Sequence, residues 1–268
     1  MCRHLAYLGP PATLRSVLVE PPHGLYTQAW APRRQRYGTV NADGFGVGWY
    51  APEDPDPARY RRTGPIWGDE SFADVARVTR AGAILGAVRS ATGGTDPGLA
   101  AVAPFTGGSW LFSHNGVIAG WPDSAAVLAA TLDAGVLLGL AARVDSALLW
   151  ALVLDRLRRG LGPAEALADT IGALDAAGVT GRFNFLLTDG QVIAATAAGD
   201  TLWYRAGLGV VVASEPGDDE PGWTQVPPGS VVTATPQQVS VTKLSRSAGC
   251  GSDITGSLDM ADGRIPTR

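Results

Sequence analysis

Met1-Cys2-Arg3-His4-Leu5-Ala6-Tyr7-Leu8 opens the chain, and the cysteine directly behind Met1 decides how the rest is read. Cys2 is either incidental or, once Met1 is removed, the new N-terminus. In the second case one residue carries both a thiol and a free α-amine. An unperturbed amine has a pKa of about 7.7–8.0 and a thiol about 8.5. The amine can therefore take the thiol's proton, directly or through one water. Such a nucleophile needs no catalytic histidine, and the chain has only three: His4, His23 and His114. Apolar periodicity predicts a strand over residues 2–8, with the nucleophile as its first residue.

Composition narrows the class. The chain has 268 residues, enough to bury a substantial core. A net charge of -4 argues against a nucleic-acid partner. Lys243 is the only lysine, and arginine dominates the positive charge, as a GC-rich genome would produce. Two cysteines as far apart as Cys2 and Cys250 make neither a disulfide framework nor a zinc site, which points to a reducing cytosol. Pro10 and Pro11 stop the apolar start before a signal-peptide core could form. The richest apolar stretch, residues 137–154, is interrupted by Arg143 and Asp145, so no membrane span is expected. The expectation is a soluble cytoplasmic protein.

Strands and helices alternate along the chain. Helices are predicted over residues 12–19, 69–80, 123–133, 145–158 and 163–177. Strands are predicted over 45–50, 83–89 and 110–114, then over 183–188, 192–196, 202–204, 209–213, 230–235 and 239–244. Residues 21–38 read as a loop carrying Tyr26, Trp30 and Tyr37, and Asp189-Gly190 marks a hairpin turn. With no repeat and no clear linker, residues 2–244 are expected to be one domain. From residue 245 the chain turns Gly/Ser/Asp-rich and reads as a disordered tail.

Several stretches could complete an amide-cleaving site around Cys2. His114-Asn115-Gly116 offers the Asn115 amide and the Gly116 N–H as an oxyanion hole; otherwise it is an ordinary Asn-Gly turn preceded by a packed histidine. Arg89-Ser90-Ala91-Thr92-Gly93-Gly94 follows a buried strand and suits capture of a carboxylate, with guanidinium, hydroxyl and loop amides. Asp145 either caps a helix or pairs with a substrate ammonium. Asn41-Ala42-Asp43-Gly44-Phe45-Gly46 is glycine-rich but lacks the strand–loop–helix context of a phosphate loop. Taken together, Arg89 for an α-carboxylate, Asp145 for an α-ammonium, and Cys2 with Asn115 and Gly116 for a carbonyl further along describe a γ-glutamyl amide.

This set, in this order, resembles the class II glutamine amidotransferases, a family of N-terminal-nucleophile hydrolases, over roughly residues 2–243. The resemblance implies an α+β fold, a four-layer αββα sandwich of two mainly antiparallel sheets. It implies Cys2 as nucleophile, Asn115 and Gly116 as oxyanion hole, and Arg89, Thr92, His114 and Asp145 as substrate-binding residues. No metal or cofactor is implied. Asp43-Gly44-Phe45-Gly46 and Ala213-Ser214-Glu215-Pro216 also fit the family. Two departures stand out. Ammonia-producing relatives usually have glycine after the cysteine, where this chain has Arg3. Many have glutamate two residues beyond the aspartate, where it has Ala147. With no second catalytic domain expected after the hydrolase domain, the opening Met1-Cys2-Arg3-His4-Leu5 is similar to a stand-alone branch, the γ-glutamyl hydrolases of ergothioneine biosynthesis. That likeness implies a small-molecule substrate, γ-glutamyl-hercynylcysteine sulfoxide. The trimethylammonium of its departing half would suit an aromatic face, with Tyr26, Trp30, Tyr37 and Trp121 as candidates. Two alternatives remain: a glutaminase subunit delivering ammonia to a separate synthase, and a non-catalytic γ-glutamyl-binding protein. The sequence does not define the oligomeric state.

Overall fold

A computed structural model describes residues 2–91 and 98–244. Thirteen strands are present among them: β1 (Cys2–Thr13), β2 (Phe45–Trp49), β3 (Ala58–Arg62), β4 (Arg80–Arg89), β5 (Phe105–Gly107), β6 (Trp110–Ile118), β7 (Gly181–Thr188), β8 (Ile193–Ala197), β9 (Trp203–Ala206), β10 (Val210–Ala213), β11 (Thr224–Gln225), β12 (Ser230–Ala234) and β13 (Val239–Lys243). One sheet runs β11-β9-β10-β1-β4-β2-β3 and the other β13-β12-β8-β7-β6-β5. Every pairing is antiparallel.

Period-2 alternation assigns each sheet two apolar faces. From β1, Ala6 and Leu8 meet Leu111 of β6 and Leu186 of β7 in a core between the sheets. Leu5 points the other way, into a core with α1 (Leu14–Leu18), α2 (Leu25–Gln28) and α3 (Glu70–Val78). Phe112 and Phe185 leave the second sheet on its far side. There they meet Leu148, Leu149 and Leu152 of the helix over Asp145–Arg158, and Leu167 and Leu174 of the helix over Pro163–Ala176. Three cores separate four layers, helix–sheet–sheet–helix, as the resemblance implied.

Local differences have local causes. β1 runs past the expected end at residue 8, through Pro10 and Pro11, because its pairing with β4 shifts register between Leu8 and Ala12. A bulge of this kind tolerates residues without a usable N–H. The first helix accordingly starts at Leu14, with the Thr13 hydroxyl accepting from the Ser16 N–H. Asp69 caps α3 by accepting from the Phe72 N–H at 3.1 Å. The helix expected over 123–133 is only a 3-10 turn, Asp123–Ala125, and one short helical turn, Ala126–Ala129. Asn115-Gly116 forms no turn: both residues lie inside β6, opposite Asn184 and Phe183 of β7. No helix among the described residues is long and apolar enough to cross a membrane.

Candidate active site

Cys2 begins β1 and lies opposite Arg89, the last residue of β4. The Arg89 N–H donates to Gly44 O (2.7 Å) and its carbonyl accepts from the Asp43 N–H (2.9 Å), both on the β2 side. Cys2 and Arg89 are therefore a non-hydrogen-bonded pair, the kind whose side chains approach more closely. Both point into the space between the sheets, on the face of Ala6 and Leu85. The Asp43 carboxylate also accepts from the Ala91 N–H at 2.7 Å, so the glycine-rich stretch fixes the end of β4. Thr92 lies outside the described residues, as does Cys250.

Facing Cys2 across the interlayer is β6. The Cys2 backbone nitrogen donates to Asn115 Oδ1 at 3.2 Å. This is the nitrogen that becomes an α-amine if Met1 is removed. Asn115 is fully buried, and its Nδ2 has no hydrogen-bond partner among the described residues. Its neighbour Gly116 pairs with Phe183, whose N–H goes instead to the carbonyl of Ala198, just past the end of β8 (2.6 Å). Ladder alternation then turns the Gly116 N–H away from β7, toward the side where β5 has already ended. A Cβ at 116 would run into the Arg182 carbonyl and the His114 ring, so glycine serves close packing at this position.

Two residues further on, the Ile118 N–H points the same way and donates to Asp145 Oδ2 at 3.0 Å. The Gly116 N–H and the Asp145 carboxylate thus share one edge of β6, roughly 7 Å apart by strand geometry. That span suits the distance between the γ-carbonyl and α-ammonium of a glutamyl group. Asp145 is the first residue of its helix; Val144 takes the cap position, and Asp145 Oδ1 accepts from the Ser146 N–H at 2.7 Å.

His114 lies between β6 and the helices. Its Nε2 lies 2.9 Å from Arg182 O, a group that only accepts, so Nε2 carries the proton and Nδ1 accepts from Ser146 Oγ at 2.9 Å. Burial lowers the His114 pKa and outweighs the opposing pull of Asp145, which keeps the ring neutral. Both ring nitrogens are engaged within the protein, and His114 lines the same small pocket as Cys2, Arg89 and Ser146. Below Cys2, on the same face, His4 is fully buried with Nδ1 3.2 Å from Ser113 Oγ. Burial, reinforced by His114 and Arg3, pushes its pKa down to about 3.

The sequence read residues 21–38 as a loop with candidate aromatics, but offered no signal for what orders residues 31–41, which Arg3 and Glu215 hold from two sides. Arg3 is fully buried, its Nε donates to Gln35 Oε1 (3.1 Å), and burial lowers its pKa against the pull of Glu215 and Asp200. Buried Glu215 accepts from the Arg33 and Arg34 N–H groups at 2.8 and 2.6 Å. Among the candidate aromatics, Tyr26 and Trp30 stand edge to face at 5.0 Å, and Trp30 meets Trp67 at 5.5 Å. Tyr37 instead covers the Arg182 guanidinium at 4.4 Å, and Trp121 packs against the helix-side core.

A first strand that opens on Cys2, an inner-sheet Asn-Gly and a helix-heading aspartate, set in an αββα sandwich, fit the class II glutamine amidotransferases. The family profile matches residues 24–207, and the chain belongs to this family. Gamma-glutamyl-hercynylcysteine sulfoxide hydrolase of Mycobacterium tuberculosis is 43% identical over 250 residues, covering 93% of this chain and 99% of that protein. The enzyme of the same name from Mycolicibacterium smegmatis is 43% identical over 249 residues, covering 91% and 100%. Among solved structures, a glutamine aminotransferase class-II domain protein from Silicibacter pomeroyi aligns with a TM-score of 0.67 at 24% identity, over 91% of this chain and all of that one. Glutamine phosphoribosylpyrophosphate amidotransferase from B. subtilis aligns with a TM-score of 0.63 at 16% identity, over 92% of this chain and 50% of that one. These two likenesses concern the fold.

Proposed function

We propose that this chain is an amidohydrolase that releases glutamate from γ-glutamyl-hercynylcysteine sulfoxide, a step of ergothioneine biosynthesis in the cytoplasm, with residues 2–244 acting as one domain. The observation that carries the reading is the hydrogen bond from the Cys2 nitrogen to Asn115 Oδ1, which joins the nucleophile to the oxyanion residue in one unit. After Met1 removal the Cys2 amine accepts the thiol proton, and the thiolate attacks the γ-carbonyl. Asn115 Nδ2 and the Gly116 N–H hold the tetrahedral oxyanion. Arg89, with Thr92, takes the α-carboxylate, and Asp145 takes the α-ammonium. The amine returns its proton to the leaving nitrogen, the amine product departs, and water hydrolyses the γ-glutamyl thioester by the same base.

The test is to incubate purified protein with γ-glutamyl-hercynylcysteine sulfoxide and, separately, with glutamine, following glutamate release, alongside N-terminal mass spectrometry. The expected result is a mature Cys2 terminus, cleavage of the conjugate well above that of glutamine, and no turnover by Cys2→Ala. Cleavage of glutamine alone would assign the chain to ammonia supply instead. Wild-type rates in Cys2→Ala would remove the mechanism.

A further inference from the structure

Beside the Asn115 and Gly116 pair lies an ion pair that the proposed chemistry leaves unused. Arg182 of β7 sits opposite Val117, one residue beyond Gly116. Alternation puts its side chain on the face of Asn184 and Leu186, toward the interlayer that holds Cys2. Its Nε donates to Asp200 Oδ2 at 3.1 Å; the Asp200 side chain is 1% exposed and that of Arg182 21%. Asn184, directly across from Asn115, fixes the Asp200 turn by donating to Asp200 O (3.0 Å) and accepting its N–H (3.0 Å). Gly199, at φ +115, clears the space the Arg182 stem occupies. Tyr37 closes over the guanidinium. The cation is thus built in, partly open to solvent, and on the side of β6 opposite Asp145.

Because Asp145 marks the α-end of the glutamyl group, the leaving group departs on the Arg182 side. We infer that Arg182 is a specificity-determining residue that binds a carboxylate on the carbon next to the scissile nitrogen, selecting γ-glutamyl derivatives of α-amino acids over glutamine. This rests on the γ-glutamyl reading above and adds the residue that recognises the carboxylate of the released amino acid. Glutamine's leaving nitrogen carries no such group, so the contact would act only on conjugates. A guanidinium fork held by a buried carboxylate and an aromatic ring suits a planar carboxylate.

The test compares kcat/KM for γ-glutamyl-S-methylcysteine with that for γ-glutamyl-2-(methylthio)ethylamide, the same amide without the carboxylate. Wild type is expected to prefer the first by at least about tenfold, the worth of one charge-assisted hydrogen bond. Arg182→Gln should collapse that ratio toward unity through KM. Arg182→Lys should keep part of it, and Arg158→Gln, on the exposed end of the Asp145–Arg158 helix, should keep all of it. Thermal unfolding confirms that each variant is folded. Equal cleavage of the two amides by wild type, or a ratio that survives Arg182→Gln, overturns the inference while leaving γ-glutamyl hydrolysis intact. Cleavage of neither amide by wild type overturns this inference, and it overturns the γ-glutamyl reading as well when γ-glutamyl-hercynylcysteine sulfoxide is also left intact.

Discussion

Asn115 has two jobs that a single atom pair separates. Oδ1 accepts from the Cys2 nitrogen, and Nδ2, buried without a partner among the described residues, meets the developing negative charge in the proposed mechanism. Asn115→Ala removes both, so kcat should fall by at least about 10²–10³, the usual cost of one oxyanion donor. A steady-state assay on any cleaved γ-glutamyl amide checks this, and a kcat within threefold of wild type would remove Asn115 from the mechanism. His4 makes a different prediction. Its folded pKa of about 3 lies below the ordinary 6.5, so in that window the unfolded chain binds a proton that the fold refuses. The stability from neutral His4 is complete above pH 6.5 and is lost as pH falls toward 3, on the order of 1 kcal/mol per pH unit. Urea unfolding at pH 7, 5.5 and 4 should show a shallower loss for His4→Gln than for wild type; parallel curves would mean His4 does not titrate this way. Residue identities were legible early because thiol, amide, guanidinium and carboxylate each permit a short list of chemistries. What His114 does was not, since its role depends on Ser146 and the Arg182 carbonyl, which only the fold brings to its two nitrogens.

At the scale of elements, β6 organises the site through alternation alone. Ser113 and Asn115 face the interlayer, His114 faces the helices, and the Gly116 and Ile118 N–H groups share the edge near Asp145. The sequence pattern placed this strand but ended it at residue 114, because Asn-Gly is a common turn dipeptide and local propensity outweighs a distant partner in such a reading. The loop over residues 31–41 was opaque for a related reason. Its order comes from Glu215 and Arg3, remote in sequence, and its own arginines carry no structural period. Glu215→Ala should therefore free the loop without melting the sheets. Trypsin should cut after Arg33, Arg34 and Arg36 at least about tenfold faster, matching the loss of charge-assisted bonds worth about 1.5–3 kcal/mol each. Gel-monitored proteolysis reads this directly, and an unchanged cleavage rate would show that other contacts hold the loop.

For the whole molecule, three apolar layers hold the two sheets in the register that aligns Cys2 with Asn115. Leu186 lies fully buried between the sheets, on the same face of β7 as Asn184. Leu186→Ala should cost about 2–5 kcal/mol, a range set by how far the cavity collapses. It should also lower activity, because the sheet facing Cys2 loses support. Denaturant unfolding gives the first quantity, and a loss under about 1 kcal/mol would mean that the interlayer is not tightly packed there. The alternation of apolar residues was enough to anticipate sheets covered by helices, and the order of Cys2, Arg89, Asn115 and Asp145 was enough to recognise the family and, through it, the two-sheet sandwich. Both are properties of short stretches, where residue chemistry and period act locally. Only the tertiary structure decided that Asn115-Gly116 lies within a strand, that Arg3 and Glu215 hold the loop over residues 31–41, and that Arg182 stands next to the Asn-Gly pair. Those relations join residues far apart in the chain, and they exist only once packing between layers has fixed the strand register.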